Sequence, residues 1–331
     1  MTHPNSGRIQ PVTEDDFQRI HEIAVLGWMP IFDRYRCIVG ERMWNDLWKG
    51  WERDRCLYTA ETWSGRGIVT EVDGEVAGFA TWWFPNDTLA EVGGNAVDPK
   101  FQCRGIGSAQ IRWVLDKFRA DGYRCAKVHT GMDPAHGPAR AAYRNAGLRC
   151  GLTNSVYFNY LDEVAQLPVR RVLSFRWAVA ADQPTVAEIA RRAWAPVYDG
   201  VRQKLGDEMF GLAFPNVLER RASELAAVAA KTPEKVRIVE EDGKPLGFCI
   251  LEDEEAKRLG VIQSMGVDPD AQGRAVGAGL CMDAFDLFRS RGLAYLRLHA
   301  RIGEVTEATR QMCWNVGLYR ELPSIDYYAL L

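Results

Sequence analysis

Two glycines separated by one residue, preceded by a glutamine and an arginine, are the first residues in this chain whose types and spacing could do chemistry. They stand in the stretch Val97 to Gln110, VDPKFQCRGIGSAQ. Gly105 and Gly107 permit a tight turn that presents backbone N–H groups at the start of a helix, and such a turn suits a phosphate or pyrophosphate. Arg104 would add positive charge. The same residues could equally make nothing more than a turn, because a bare G-x-G is a weak signal. A dinucleotide site of the Rossmann type fits poorly, since no third glycine stands at the required spacing. Near the end of the chain, Val267 to Leu280 reads VDPDAQGRAVGAGL and aligns with the first stretch without a gap. There Gly105 has become Ala275.

Stepping outward from the turn, the repeat covers most of the chain. Adding 170 to a position in the first half lands on its counterpart: Gln102, Arg104 and Gly107 become Gln272, Arg274 and Gly277, and His129, Asn145 and Gly147 become His299, Asn315 and Gly317. With small shifts, DGEVAGF (73–79) matches DGKPLGF (242–248), and Trp28-Met29-Pro30 matches Trp194-Ala195-Pro196. Two copies of so long a period mean duplicated domains rather than a solenoid. The boundary is expected at the charged, proline-bearing run Leu161 to Ser174, giving domains 1–163 and 175–331 with a linker at 164–174. Each half reads as an opening strand, a helical stretch, a hairpin turning at Asp73-Gly74 or Asp242-Gly243, a strand, the glycine turn, a helix, a strand and a second helix. That order predicts α+β domains, each a mixed twisted sheet flanked by helices.

Composition narrows the classes of function. A chain of 331 residues is comfortable for two cores. With 47% hydrophobic and 26% charged residues it reads as an ordinary globular protein, and a net charge of −3 gives no reason to expect nucleic acid as a partner. The eight cysteines show no C-x-x-C and no clustered ligand set, so reduced thiols are expected and no metal. The polar start and the lack of an eighteen-residue apolar run predict a cytoplasmic protein without a membrane partner.

The first turn, Gln102-Cys103-Arg104-Gly105-Ile106-Gly107 after a strand ending Val97-Asp98-Pro99, closely resembles the acyl-coenzyme A site of the GNAT acyltransferases. The later AAYRNAGL (141–148) resembles that family's second-helix end, with Leu148 where phenylalanine is usual. The order of elements in each half is also the family's, and duplicated chains are known within it. The resemblance implies acetyl-CoA as co-substrate, with its pyrophosphate on the backbone from Gln102 to Ser108 through Cys103, Arg104, Gly105, Ile106 and Gly107. Cys103, where glycine is common, reads as a tolerated small residue. The strand before the motif would bend at Gly93-Gly94, so that Ala96 or Val97 offers an N–H to the thioester carbonyl. Tyr143 matches the tyrosine that protonates the departing thiolate. Glu91, eleven residues before Gln102, is either the general base or a solvent-facing strand carboxylate. His136 reads as a surface histidine where the family has a coenzyme-binding asparagine, and the recurrence of His129 as His299 reads as packing.

In the second copy Glu91, Gly105 and Tyr143 become Val261, Ala275 and Cys313. A methyl at Ala275 would crowd the pyrophosphate or forbid a positive φ. One working site in the first half and a degenerate second half are therefore expected. The tryptophans at 28, 44, 48, 51 and 63, with Trp82 and Trp83, favour a small, partly apolar amine as acceptor, and Trp28, Trp82 and Trp83 are the candidate contacts. The acidic residues Asp33, Glu41, Asp46, Glu52 and Asp54 are spread through the same region. Rival readings are a non-catalytic acyl-CoA-binding regulator, opposed by the pairing of Glu91 and Tyr143 with an intact turn, and an aminoacyl-tRNA-dependent transferase, opposed by the acidic balance and the intact first turn. A mycothiol-synthase-like enzyme should keep its stronger site in the second half, the reverse of the asymmetry here. Monomer and homodimer both remain compatible.

Overall fold

The computed structural model describes residues 7–53, 65–164, 173–301 and 307–331. Trp63, Asp54 and Cys56, and all of the expected linker except Val164, Leu173 and Ser174, lie outside the described residues.

Local signals become elements in order. β1 (Arg8–Pro11) leads to α1 (Phe17–Val39), whose start is secured by the Asp16 carboxylate accepting from the Thr13 amide at 2.8 Å. α2 (Glu41–Leu47) follows. β2 (Gly67–Val72) and β3 (Glu75–Trp83) form the hairpin, and Asp73 and Gly74 take φ of 52° and 80°, the paired left-handed residues of a type I′ turn. β4 (Leu89–Val97) runs into the glycine turn, then come α3 (Ile106–Ala120), β5 (Cys125–Gly131), α4 (Gly137–Ala146) and β6 (Cys150–Tyr160). The second round repeats this with β7 (Ser174–Trp177), α5 (Gln183–Leu205), α6 (Asp207–Ala213), α7 (Val217–Lys231), β8 (Val236–Glu241) and β9 (Lys244–Glu254). It closes with β10 (Leu259–Val267), α8 (Val276–Ser290), β11 (Tyr295–Ala300), α9 (Glu307–Asn315) and β12 (Arg320–Leu330). Both 23-residue helices α1 and α5 carry their matching internal prolines, Pro30 and Pro196.

The chain forms two compact units, and they are not the contiguous halves expected from the repeat. The first comprises Met1–Leu152, Leu205–Ala213 and Pro323–Leu331; the second comprises Thr153–Lys204 and Phe214–Leu322. In the first unit the sheet runs β1-β2-β3-β4-β5-β12, with β4 and β5 parallel and the other neighbours antiparallel. In the second it runs β7-β8-β9-β10-β11-β6, with β10 and β11 parallel. Each unit's sixth strand thus comes from the other half of the sequence. Strands β6 and β12 are equivalents 170 residues apart, so their local patterns could not say which sheet each would join.

The two faces of the first sheet explain its hydrophobic periods. α3 lays Ile111, Val114, Leu115 and Phe118 against Ile68, Ala80, Trp82, Val92 and Val128. On the alternate residues of the same strands, α1 packs Ile20, Ile23 and Ala24 against Val69, Phe79 and Ala96. Among the described residues no helix is long and apolar enough to cross a membrane.

Candidate active site

The turn after β4 is held from both sides. Asp98 accepts from the Lys100 amide at 2.9 Å and pairs with Arg19 of α1. Burial opposes its charge, but the Lys100 amide and the Arg19 guanidinium outweigh that and keep the Asp98 pKa below the usual range. Gln102 Nε2 donates to the Val97 carbonyl at 3.0 Å, tying the turn to the strand end. Cys103 (φ 62°) and Gly105 (φ 81°) are both left-handed, and Gly105 caps α3. A Cβ on Gly105 would meet no atom within 4 Å, so packing does not exclude a side chain there; the left-handed backbone and the open space above it are what a glycine serves. The amides of Ile106, Gly107 and Ser108 lie in the first turn of α3, where no intrahelical acceptor exists. Arg104 lies over the Phe101 ring at 5.2 Å. This is a cradle of amides suited to a pyrophosphate.

Beside the turn, β4 bends. Its pairing with β3 shifts register between Ala80/Asn95 and Trp82/Val92, which places a bulge at the expected Gly93-Gly94, and Thr81 Oγ1 donates to the Gly94 carbonyl at 2.9 Å. A Cβ on Gly93 would lie 2.6 Å from Thr81 Oγ1 and 2.7 Å from the Trp83 ring. On the other side, β4 and β5 pair from Leu89↔Cys125 to Val92↔Val128, and there the pairing ends although both strands run on. Between their parted ends lies a cavity of 1080 Å³.

The cavity gathers most of the residues named from sequence. Glu91, Ala96, Val97, Gln102, Cys103, Gly105, Ile106, Gly107, Ser108, Tyr143, Trp28 and Trp83 all line it. Arg104 does not, and neither does Trp82. Trp82 is buried under α3, 6.1 Å from Trp113, because strand alternation sends it to the face opposite Trp83. That corrects its reading as an acceptor contact. Trp28 stacks on Phe79 at 6.3 Å while still reaching the cavity. Trp44, Trp48 and Trp51 form an aromatic cluster with Phe32, which itself lines the cavity.

Tyr143 is buried on α4, and its hydroxyl donates to Asn95 Oδ1 at 2.6 Å. Burial outweighs that hydrogen bond and pushes its pKa well above the usual phenol value, so the proton is firmly present. Glu91 is 6% exposed, not a solvent-facing strand carboxylate. Its Oε2 lies 3.3 Å from Lys127 Nζ on β5, which also lies 3.3 Å from Asp326 of β12. Burial works against the Lys127 charge, but Asp326 and Glu91 prevail and raise its pKa. His129, read as packing, instead lines the cavity with its Nδ1 3.1 Å from Asp326 Oδ1. His136 likewise lines it, half-buried and bonded to Asp133 rather than lying on the surface. Sequence reasoning missed Asn95, Lys127 and Asp326; of these, only Asn95 carried a signal, its place inside the expected bend.

The second unit keeps the backbone and loses the chemistry. Gln272 Nε2 again donates to the strand end, Val267 O, at 3.3 Å. Gly273 and Ala275 take φ of 72° and 61° where the first turn has Cys103 and Gly105. Alanine therefore does adopt the left-handed position that it was expected to forbid. Val261 and Cys313 are fully buried where Glu91 and Tyr143 line a cavity, and burial raises the Cys313 pKa to about 12.

The chain belongs to the acetyltransferase (GNAT) family, which matches residues 31–148 and 203–310. It is thus a tandem enzyme of the N-acetyltransferase class, whose acyl donor is acetyl-CoA. Its fold is that of a GCN5-related N-acetyltransferase from Sphaerobacter thermophilus, with a TM-score of 0.65 at 16% identity over 99% of this chain and 97% of that one. A tandem GNAT protein from the clavulanic acid biosynthesis pathway superposes with a TM-score of 0.53 at 15% identity over 98% of each chain. Among curated proteins, a mycothiol acetyltransferase of Sanguibacter keddieii is 28% identical over 234 residues, 68% of this chain and 69% of the relative. One from Nocardia farcinica is 27% identical over 260 residues, 73% and 76% respectively. The type that the asymmetry of the two turns had set aside is thus the name these relatives carry.

Proposed function

We propose that the first unit transfers an acetyl group directly from acetyl-CoA to the primary amine of a small, partly apolar metabolite. One observation carries this: the amide cradle, the bulged edge of β4 and the buried Tyr143 hydroxyl all border one cavity. The backbone from Gln102 to Ser108 holds the pyrophosphate, with Gly105 and Gly107 permitting close approach. The stretch Ala96-Val97 faces the thioester carbonyl. Tyr143, held on Asn95, gives its proton to the departing thiolate. The amine enters over Trp28 and Trp83 towards Glu91, Lys127 and His129, behind which Asp326 lies. The likeness to the mycothiol acetyltransferases supports amine acetylation, and the position of the acid and of the carboxylates beside the cavity supports a working site in the first unit. The second unit, with Val261, Ala275 and Cys313, serves a structural role.

Counting coenzyme per chain tests this reading. Native mass spectrometry should find one acetyl-CoA per full-length chain. Gly105→Ala should weaken binding at least about tenfold while the fold is kept, since Ala275 shows that this turn accommodates alanine. Tyr143→Phe should bind acetyl-CoA within about threefold of wild type yet turn over about 10²-fold more slowly. Two coenzymes per chain would give the second turn a binding role, and none would end the acetyl-CoA reading for this chain.

A further inference from the structure

Three charged or titratable side chains, Glu91, Lys127 and His129, line the first unit's cavity, and Asp326 of a third strand lies buried behind them. Asp326 stands opposite His129 in the β5–β12 register, and Glu91 stands opposite Lys127 in the β4–β5 register. Backbone ladders therefore set these neighbours. The β4–β5 pairing ends at Val92↔Val128, so His129 is the first residue of β5 beyond it, at the mouth of the gap. Its side chain is 54% exposed, whereas that of Asp326 is only 4% exposed.

Two groups compete for the proton that an attacking amine must lose. Glu91 is tied to Lys127, and protonating it would leave a buried cation short of one partner. His129 is open to the cavity, and its Nδ1 faces the buried Asp326 carboxylate, leaving Nε2 for a substrate. A carboxylate on Nδ1 fixes the ring's tautomer and stabilises the imidazolium once formed. Resting on the acetyl-transfer reading above, we propose that His129 is the general base of the first unit and that Asp326, delivered by the last strand of the chain, is its positioning residue. The amine nitrogen forms a bond to the thioester carbonyl carbon as one of its protons passes to His129 Nε2. The carbon–sulfur bond breaks with its electron pair on sulfur, and the thiolate takes the Tyr143 proton. Imidazolium and phenolate then exchange protons with solvent, so the sum is amine plus thioester to amide plus thiol.

The second unit supplies a contrast within the same molecule. There His299 stands opposite Val156 instead of an aspartate, with Val261 and Arg297 in place of Glu91 and Lys127. Burial, Arg297 and Arg301 lower the His299 pKa to about 4. Recurrence of the histidine thus does not mean a shared role, because His129 has a carboxylate in hydrogen-bond contact with its ring whereas His299 stands opposite Val156. Around His129 the charged and titratable groups are Lys127 on its own strand, Glu91 on β4, and Asp326 and Tyr328 on β12. Burial, Asp326 and Glu91 hold Tyr328 protonated.

Two measurements on the full-length chain test the pair. Imidazole ¹⁵N NMR should show His129 with its proton on Nδ1 and Nε2 bare above neutral pH, and Asp326→Asn should mix the tautomers. Thiol release from acetyl-CoA with tryptamine as the probe amine, followed from pH 6 to 9, should show an acidic limb in kcat. His129→Gln should lower kcat about 10²-fold and remove the limb, with acetyl-CoA binding within about threefold. Asp326→Asn should lower kcat at least about tenfold, since the ring is no longer held in the productive tautomer, while Asp326→Glu restores part of the rate. Glu91→Gln should keep the limb. A proton on Nε2, a His129→Gln enzyme within threefold of wild type, or a limb that follows Glu91 would each overturn the proposal. Tryptamine left untouched by a protein that binds acetyl-CoA would count against the acceptor class alone, and the tautomer would then decide the pair.

Discussion

At the scale of single residues, the two glycine turns share one difficulty between them. Each needs two left-handed residues, at 103 and 105 or at 273 and 275, and each has glycine at only one of the two. Cys103 and Ala275 carry the strain, which for an L-residue in that conformation is about 1–2 kcal/mol. Cys103→Gly and Ala275→Gly should each stabilise the protein by about 0.5–1 kcal/mol, the greater freedom of glycine in the unfolded chain offsetting the rest. Urea midpoints measure this, and a fall in either variant would mean that the turn is not strained there. What separates the two copies is therefore the methyl group standing where a pyrophosphate would lie, not the path of the backbone.

At the scale of elements, β11 shows what its surroundings do to a histidine. The pKa of His299 in the folded state is about 4, lowered by burial and by Arg297 and Arg301, against about 6.5 in an unfolded chain. Below 6.5 the unfolded state takes up a proton that the folded state refuses. The stability is thus fully present above pH 6.5 and is lost as the pH falls towards 4. For a partly exposed ring the loss should be on the order of 1–2 kcal/mol after allowing for solvent screening. His299→Gln should flatten the dependence of unfolding free energy on pH between 6.5 and 4. An unchanged slope would show that other groups govern that range. In the equivalent strand β5 it is Asp326 of β12, rather than Val156 of β6, that stands opposite the histidine.

At the scale of the whole molecule, each unit depends on a strand from the other half of the sequence. The first unit takes Asp326 and the core residue Tyr327 from β12, and the second takes Tyr157 from β6. A fragment 1–163 would lack the sixth strand of its own sheet and the carboxylate that pairs with His129 and Lys127. Expressed alone, it should show no cooperative unfolding transition and no acetyl-CoA binding; co-expressed with 164–331, it should recover both. A fragment 1–163 that folds and binds coenzyme by itself would show that β12 is dispensable to the first unit.

Much of this protein is determined by neighbours in the chain. The duplication, the hairpin turns at Asp73-Gly74 and Asp242-Gly243, the glycine turn after Val97 and the bend at Gly93-Gly94 all follow from residue types a few positions apart, and local sterics decide them. Glu91 and Tyr143 could be named in the same way, from their spacing to the turn. The tertiary structure decided the remainder. Which sheet β6 or β12 would close depends on pairings between residues about 140 positions apart for β6 and about 200 for β12, and two equivalent strands carry the same pattern. Whether Trp82 or Trp83 would reach the cavity depends on which face of β3 the helix α3 covers. The pairing of His129 with Asp326, and of Lys127 with two carboxylates, exists only because three strands distant in sequence lie in register, and no local period records that.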